Sequence, residues 1–277
     1  MTTSLPTGGL RVAAAQAVAE PGEIERNAAT AARLIAQAAE RGAGIVVFPE
    51  LFLCCYDLGL LQREPVRCDV SLDDTRLEPV REACRDANVV AVVGASVLDD
   101  DGRTISALVV DGAGDLLARY DKQHLDRSER DLFRPGTDAC AVDIHGWRLA
   151  IGICYDGTFP EHARAAALAG AHGYLCPVSH TERSVVHPAR ARENTMYVVL
   201  SNHVGEADGR RLCGHSAIWG PNGEVLADAG PTEEGLALAD FDPEVLARIR
   251  ADRPVLEEAR VYAAAGAAPP AADRARR

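Results

Sequence analysis

Apolar residues recur along this chain with two different periods, and the periods interleave. After a polar head, Leu10–Val18 reads as a strand. From Pro21 to Arg41 the residues Ile24, Ala28, Ala31, Leu34 and Ile35 return every three or four positions, which predicts a helix with one buried face. Gly42 and Gly44 stop it, and the short apolar run Ile45–Phe48 ends in Pro49 and Glu50. Strand, helix and strand then repeat. Leu72–Asn88 reads as a helix and Val89–Leu98 as a buried strand, apolar at almost every position, as in a sheet covered on one face by helices.

Three turn signals predict hairpins. DGAGD separates Ile105–Asp111 from Leu116–Tyr120, His145-Gly146 separates Ala139–Ile144 from Trp147–Cys154, and PNG separates His215–Trp219 from Glu224–Ala227. Between the last two, Glu161–Gly170 and Pro188–Thr195 read as helices, and Tyr174–Pro177 and Met196–Asn202 as strands. Gly235–Ala239 is a further strand and Pro243–Arg250 a helix. Helices alternating with strands and hairpins predict an α/β chain with mixed sheets and helices outside them. No linker or repeat divides the 277 residues, so one domain is expected, with a core over residues 10–253 and a tail over 254–277.

Composition narrows the class. Aromatic residues make up only 5% of the chain, so alanine, valine and leucine must fill the core. A formal net charge of −12 disfavours a nucleic-acid partner. No long apolar run and no secretory leader pattern appears, so a cytoplasmic protein without a membrane partner is expected. Eight irregularly spaced cysteines suit reduced thiols better than a disulfide scaffold. No GxGxxG follows a strand, no GxxxxGK[ST] occurs, and the eight histidines form no HExxH. Neither a nucleotide nor a metal is implied.

Three polar residues interrupt the apolar pattern where a buried strand ends: Glu50 in IVVFPE, Lys122 in LLARYDK and Cys154 in LAIGICYD. Loops at strand ends commonly carry chemistry. Taken singly, each has a plain structural reading: a core cysteine, a turn carboxylate, an edge ammonium. Together they form a working set. A cysteine is a strong nucleophile once deprotonated, a carboxylate can take its proton, and a fixed ammonium can steady thiolate and oxyanion. The backbone N–H of Tyr155 offers a second oxyanion contact.

These segments resemble the nitrilase superfamily, the carbon–nitrogen hydrolases with a Glu-Lys-Cys triad. IVVFPELFL, YDKQHL and IGICYDGTFPEHAR match the glutamate, lysine and cysteine segments in order, and the likeness spans roughly Leu10–Asp240. ERDLFRPG resembles the segment with an assisting glutamate, here Glu129. ARARENTMYVVLSNHVG and GHSAIWGPNGEVL resemble later structural segments. The resemblance implies a four-layer alpha-beta-beta-alpha sandwich with two mixed sheets. It also implies a homodimer or higher homo-oligomer and chemistry without a cofactor. Tyr155-Asp156 after the cysteine looks like the amidase and carbamoylase branches, whereas nitrilases proper usually carry tryptophan and glutamate. The expected substrate is a small linear amide, with an N-carbamoyl compound as the nearest alternative. A nitrile and a catalytically inactive binding protein are more distant ones. His180 and Arg183, in a polar stretch with Glu182 and His187, are candidate contacts for a charged substrate tail or simply solvated loop residues.

Overall fold

A computed structural model describes residues 4–264. Two mixed sheets face each other. The first runs in the order Gly235–Phe241, Leu10–Gln16, Ile45–Val47, Val90–Asp99, Gly102–Val110, Leu116–Asp121, with Asp69–Val70 paired beside Val90–Asp99. The second runs Val225–Asp228, Ala217–Trp219, Tyr197–Ser201, Gly173–Pro177, Trp147–Ile151, Ala141–Ile144. Each has three central strands in parallel with antiparallel strands flanking them, and the short Asp69–Val70 pairs parallel to Val90–Asp99. The three expected hairpins are present.

Helices cover both outer faces, which completes the four layers. Ile24–Glu40 lays Ile24, Ala28, Ala31, Leu34, Ile35 and Ala38 inward and packs beside Glu78–Ala87 over the first sheet. Pro160–Leu168 and His187–Asn194 pack over the second. Small residues do much of this work: Ala163 and Ala167 are fully buried on one helix face, and Ala191 on the next. Among the described residues, no helix is long and apolar enough to cross a membrane.

The elements differ from the sequence reading in places with identifiable causes. The strand leading to Cys154 ends at Ile151, and Cys154–Thr158 is a single 3-10 turn. Pro79 starts the helix expected from Leu72, so its regular part covers only Glu78–Ala87 after a 3-10 turn at Thr75–Leu77. The tail is ordered at its start: Val255–Ala264 is helical and Leu256 is buried against the outer helices of the second sheet. Residues 265–277 lie outside the described residues.

The two ends of the space between the sheets are unlike. At the end where the central parallel strands begin, Tyr197 and Phe241 stack with ring centres 4.1 Å apart, and Trp147 leans on both. At the end where those strands finish, buried polar side chains accumulate: Gln16, Glu50, Lys122, Glu129, Asp156, Ser201, Asn202 and Ser216.

Candidate active site

Glu50 sits in the turn after Ile45–Val47, and a glycine in the next strand makes room for it. A Cβ at Gly94 would overlap the Pro49 carbonyl and the Leu51 nitrogen. The turn is stitched to the opposite sheet. Glu50 O accepts from His203 Nε2 at 2.7 Å and from Ser179 Oγ at 3.4 Å, while Glu50 N donates to Val178 O at 3.4 Å. Burial holds the His203 pKa down to about 4, so its ring is neutral and Nε2 carries the proton.

Lys122 follows the edge strand Leu116–Asp121 and is wholly buried. Its Nζ donates to Glu50 Oε1 at 2.7 Å and to Glu129 Oε1 at 2.6 Å. Glu129 is fixed in turn by the Tyr56 hydroxyl at 2.7 Å and the Asp126 N–H at 2.7 Å. A buried ammonium between two buried carboxylates is thus bonded and rigid. The chain reaches Glu129 and returns past the lysine at Gly136, whose N–H donates to Lys122 O at 2.9 Å.

Cys154 opens the turn with φ of +47°, a left-handed conformation that costs a β-carbon residue energy and marks a constrained position. Gly152 lets the chain get there, because a Cβ would collide with the Tyr174 hydroxyl. Gly157 faces His187 and Cys176, which bond to each other at 3.2 Å, and its missing side chain gives them space.

The electrostatics tie the three residues together. Burial pushes the Glu50 carboxyl well up, and the Cys154 charge adds to this, against the pull of Lys122. Burial also raises the Cys154 thiol, opposed by the Lys122 ammonium, the Ser179 N–H and Glu50. For Lys122 burial acts downward, yet the charges of Glu50, Cys154 and Glu129 outweigh it and hold the proton on. Ionising Glu50 and Cys154 together would set three anions around one cation. The pair therefore holds on to at least one proton between them. Glu50 Oε2, the oxygen Lys122 leaves unused, is buried without a partner among the described residues.

Of the other candidates, His180 lies close enough for Glu50 and Lys122 to affect its proton affinity, which burial lowers first. Its backbone is clasped by Asn202, which accepts from His180 N at 2.8 Å and donates to His180 O at 3.1 Å. Arg183 is placed differently. Its exposed guanidinium is paired with Asp228 at 2.9 Å, beside His215, at the rim of a surface hollow. Among the described residues, no hydrogen bond or ion pair links it to the triad. Tyr155 lies within the Cys154–Thr158 turn, and the first N–H groups of such a turn find no partner inside it.

The sequence reading did not single out Ser179, Asn202 or His203, and it used Asp156 only with Tyr155 as a mark of the amidase and carbamoylase branches. Asn202 and His203 carried the same signal as Glu50, a polar break at the end of an apolar strand, in VVLSNH. Asp156 is wholly buried. Its Oδ2 accepts from Ile153 N at 2.9 Å and the Tyr120 hydroxyl at 2.7 Å, and its Oδ1 bonds His124 N and His124 Nδ1, both at 2.8 Å. His162 bonds the hydroxyls of Tyr120 at 3.0 Å and Tyr174 at 2.9 Å. His124, Asp156 and His162 are near enough to offer ligand atoms to one metal ion. Those oxygens and the atoms of His162 already serve this hydrogen-bond network.

A four-layer sandwich with a buried carboxylate and ammonium and a partly buried cysteine at its strand ends fits a hydrolase of carbon–nitrogen bonds other than peptide bonds. The carbon-nitrogen hydrolase family model matches residues 11–251, and the chain belongs to that family. It is 33% identical over 225 residues to a nitrilase of Pyrococcus abyssi, covering 79% of this chain and 85% of that protein. It is 29% identical to the omega-amidase of Homo sapiens, covering 84% and 89%. Among solved structures, a variant of the amidase from Nesterenkonia sp. AN1 superposes with a TM-score of 0.76 at 30% identity, over 88% of this chain and 95% of that one. Another variant of that amidase carries the acetamide moiety of fluoroacetamide covalently at its active-site cysteine, with a TM-score of 0.77 at 29% identity, over 92% and 98%.

Proposed function

We propose that this chain hydrolyses a small linear amide to a carboxylic acid and ammonia or an amine through a thioester on Cys154. The observation that carries this reading is the Lys122 ammonium held between Glu50 and Glu129 with Cys154 in its field. The triad offers a buried proton acceptor, a buried fixed cation and a partly buried sulfur. Glu50 takes the thiol proton, and the thiolate attacks the carbonyl carbon. Lys122 and the Tyr155 N–H receive the oxyanion. Glu50 returns the proton to the departing nitrogen, the C–N bond breaks, and the acyl group stays on sulfur. Glu50 then takes a proton from water as the water attacks the thioester, and the acid leaves as the thiol reforms. Glu129 fixes the lysine and gives the substrate nitrogen an acceptor. His180 lines the approach, and Arg183 acts on a charged substrate tail only from the rim.

The amidase names among the relatives and Tyr155-Asp156 favour an amide over a nitrile. The test is ammonia release over short aliphatic amides, omega-amides of dicarboxylic acids and N-carbamoyl amines. Turnover of an amide with equimolar acid is the expected result. Carbon dioxide release from carbamoyl compounds with inert amides would replace it with the carbamoylase reading. Inertness to the whole panel, with no adduct on Cys154, would replace it with a non-catalytic one.

A further inference from the structure

Cys154 and Lys122 reach the site from different sheets, on segments with no regular element in common. Among the described residues, Asp156 joins them directly. One oxygen accepts from the backbone of Ile153, next to the nucleophile, and from Tyr120, two residues before the lysine. The other accepts from the backbone and ring of His124, two residues after the lysine. A single buried carboxylate thus grips the lysine segment on both sides of Lys122 and the cysteine turn on both sides of Cys154.

We propose that Asp156 is a positioning residue that sets the Lys122 ammonium against the Cys154 sulfur. This rests on the thioester reading above. Two features favour it over plain packing. A carboxylate presents four acceptor directions, and four donors use them. Both oxygens also face a backbone N–H, so an amide in the same place must turn its NH2 towards one of those donors in either orientation. Tyr120 is braced from the far side by His162, so its hydroxyl has a fixed direction even though the edge strand carries it.

The test compares Asp156→Asn, Tyr120→Phe and Cys154→Ala in the full chain. Readouts are kcat, KM, melting temperature and the pH dependence of iodoacetamide labelling at the Cys154 peptide. Asp156→Asn is expected to lower kcat about 10²-fold, the scale of a small misplacement of a catalytic group. KM should stay within about threefold, since Asp156 does not touch substrate. Labelling should need a higher pH, because a displaced ammonium lowers the thiol pKa less. Tyr120→Phe removes one of the four bonds and should cost about tenfold in kcat with the same direction of shift. A folded Asp156→Asn protein with kcat within threefold of the parent and an unmoved labelling profile would overturn the inference. If Asp156→Asn does not fold, Tyr120→Phe decides: a kcat within twofold and no shift overturns it. Turnover surviving in Cys154→Ala would instead defeat the thioester reading and leave the role of Asp156 to be judged from labelling in the parent background.

Discussion

The two ends of the inter-sheet space are built from the same strands and behave as opposite kinds of core. The end where the central strands start holds Trp147, Tyr197 and Phe241, whose contacts are ring against ring. The end where they finish holds Glu50, Lys122 and Glu129, joined by charge-assisted bonds, and Asp156, bonded to Tyr120 and His124; all four are fully buried. Apolar packing loses stability roughly in proportion to what is removed. A buried charge network fails when one partner goes, because the others stay buried and uncompensated. The polar end therefore costs the fold something, and its retention makes sense as chemistry. Substitutions at the two ends should separate activity from stability.

The largest effect on turnover is expected from Cys154→Ala, which removes the proposed nucleophile. Loss of about 10⁴-fold or more in kcat is expected, as for other enzymes stripped of a covalent nucleophile. A steady-state ammonia assay on highly purified protein checks it. Lys122→Ala should cost at least about 10²-fold in kcat, comparable to one oxyanion donor. It should also lower stability by about 3–5 kcal/mol, since Glu50 and Glu129 are left facing each other in the core. Urea unfolding beside kinetics separates the two effects, and a kcat loss under threefold would remove the lysine from the chemistry.

Glu129→Gln gives a smaller effect with a definite sign. Burial, then the Cys154 and Glu129 charges, hold the Glu50 carboxyl above its ordinary value of 4.5. The acid limb of kcat/KM should therefore lie above the usual carboxylate range. Neutralising Glu129 removes one raising charge, so the limb should move to lower pH; an upward move would contradict the assignment of Glu50 as the base. The stability sign is opposite to that of a salt-bridged surface acid. Glu50 binds its proton more tightly folded than unfolded, so its own contribution weakens as pH rises from 4.5 towards the raised value. Trp147→Ala, at the apolar end, should lower stability by about 3–5 kcal/mol while kcat per folded molecule changes by less than about threefold. A large kcat loss there would mean that the two ends are coupled.

Much of this contrast was legible in the sequence, because it is written in local patterns. Helical spacing in Ile24–Ile35 and turn chemistry at DGAGD and PNG gave elements that the structure keeps. Polar breaks after apolar strands marked Glu50, Lys122 and Cys154. Short pieces escaped: Leu58–Arg63 and Pro65–Cys68 are too brief to show a period. The ribbon Val204–Ala207 with Arg210–Cys213 escaped despite its signal, Asp208-Gly209, both with positive φ in a tight turn. Asp156 and Arg183 could not be sorted by pattern. One is a buried strut and the other a surface ion pair because of partners 32 to 45 residues away.

The central claim is that the polar end makes a covalent acyl-enzyme at one sulfur. Its most direct measurement is acid quenching of the protein during turnover of an amide from the release panel, followed by peptide mass spectrometry. The account predicts the mass of the substrate acyl group on the peptide bearing Cys154 and nowhere else, and its loss in Cys154→Ala. Sustained turnover by that variant, or an acyl group that maps to another residue, would contradict it.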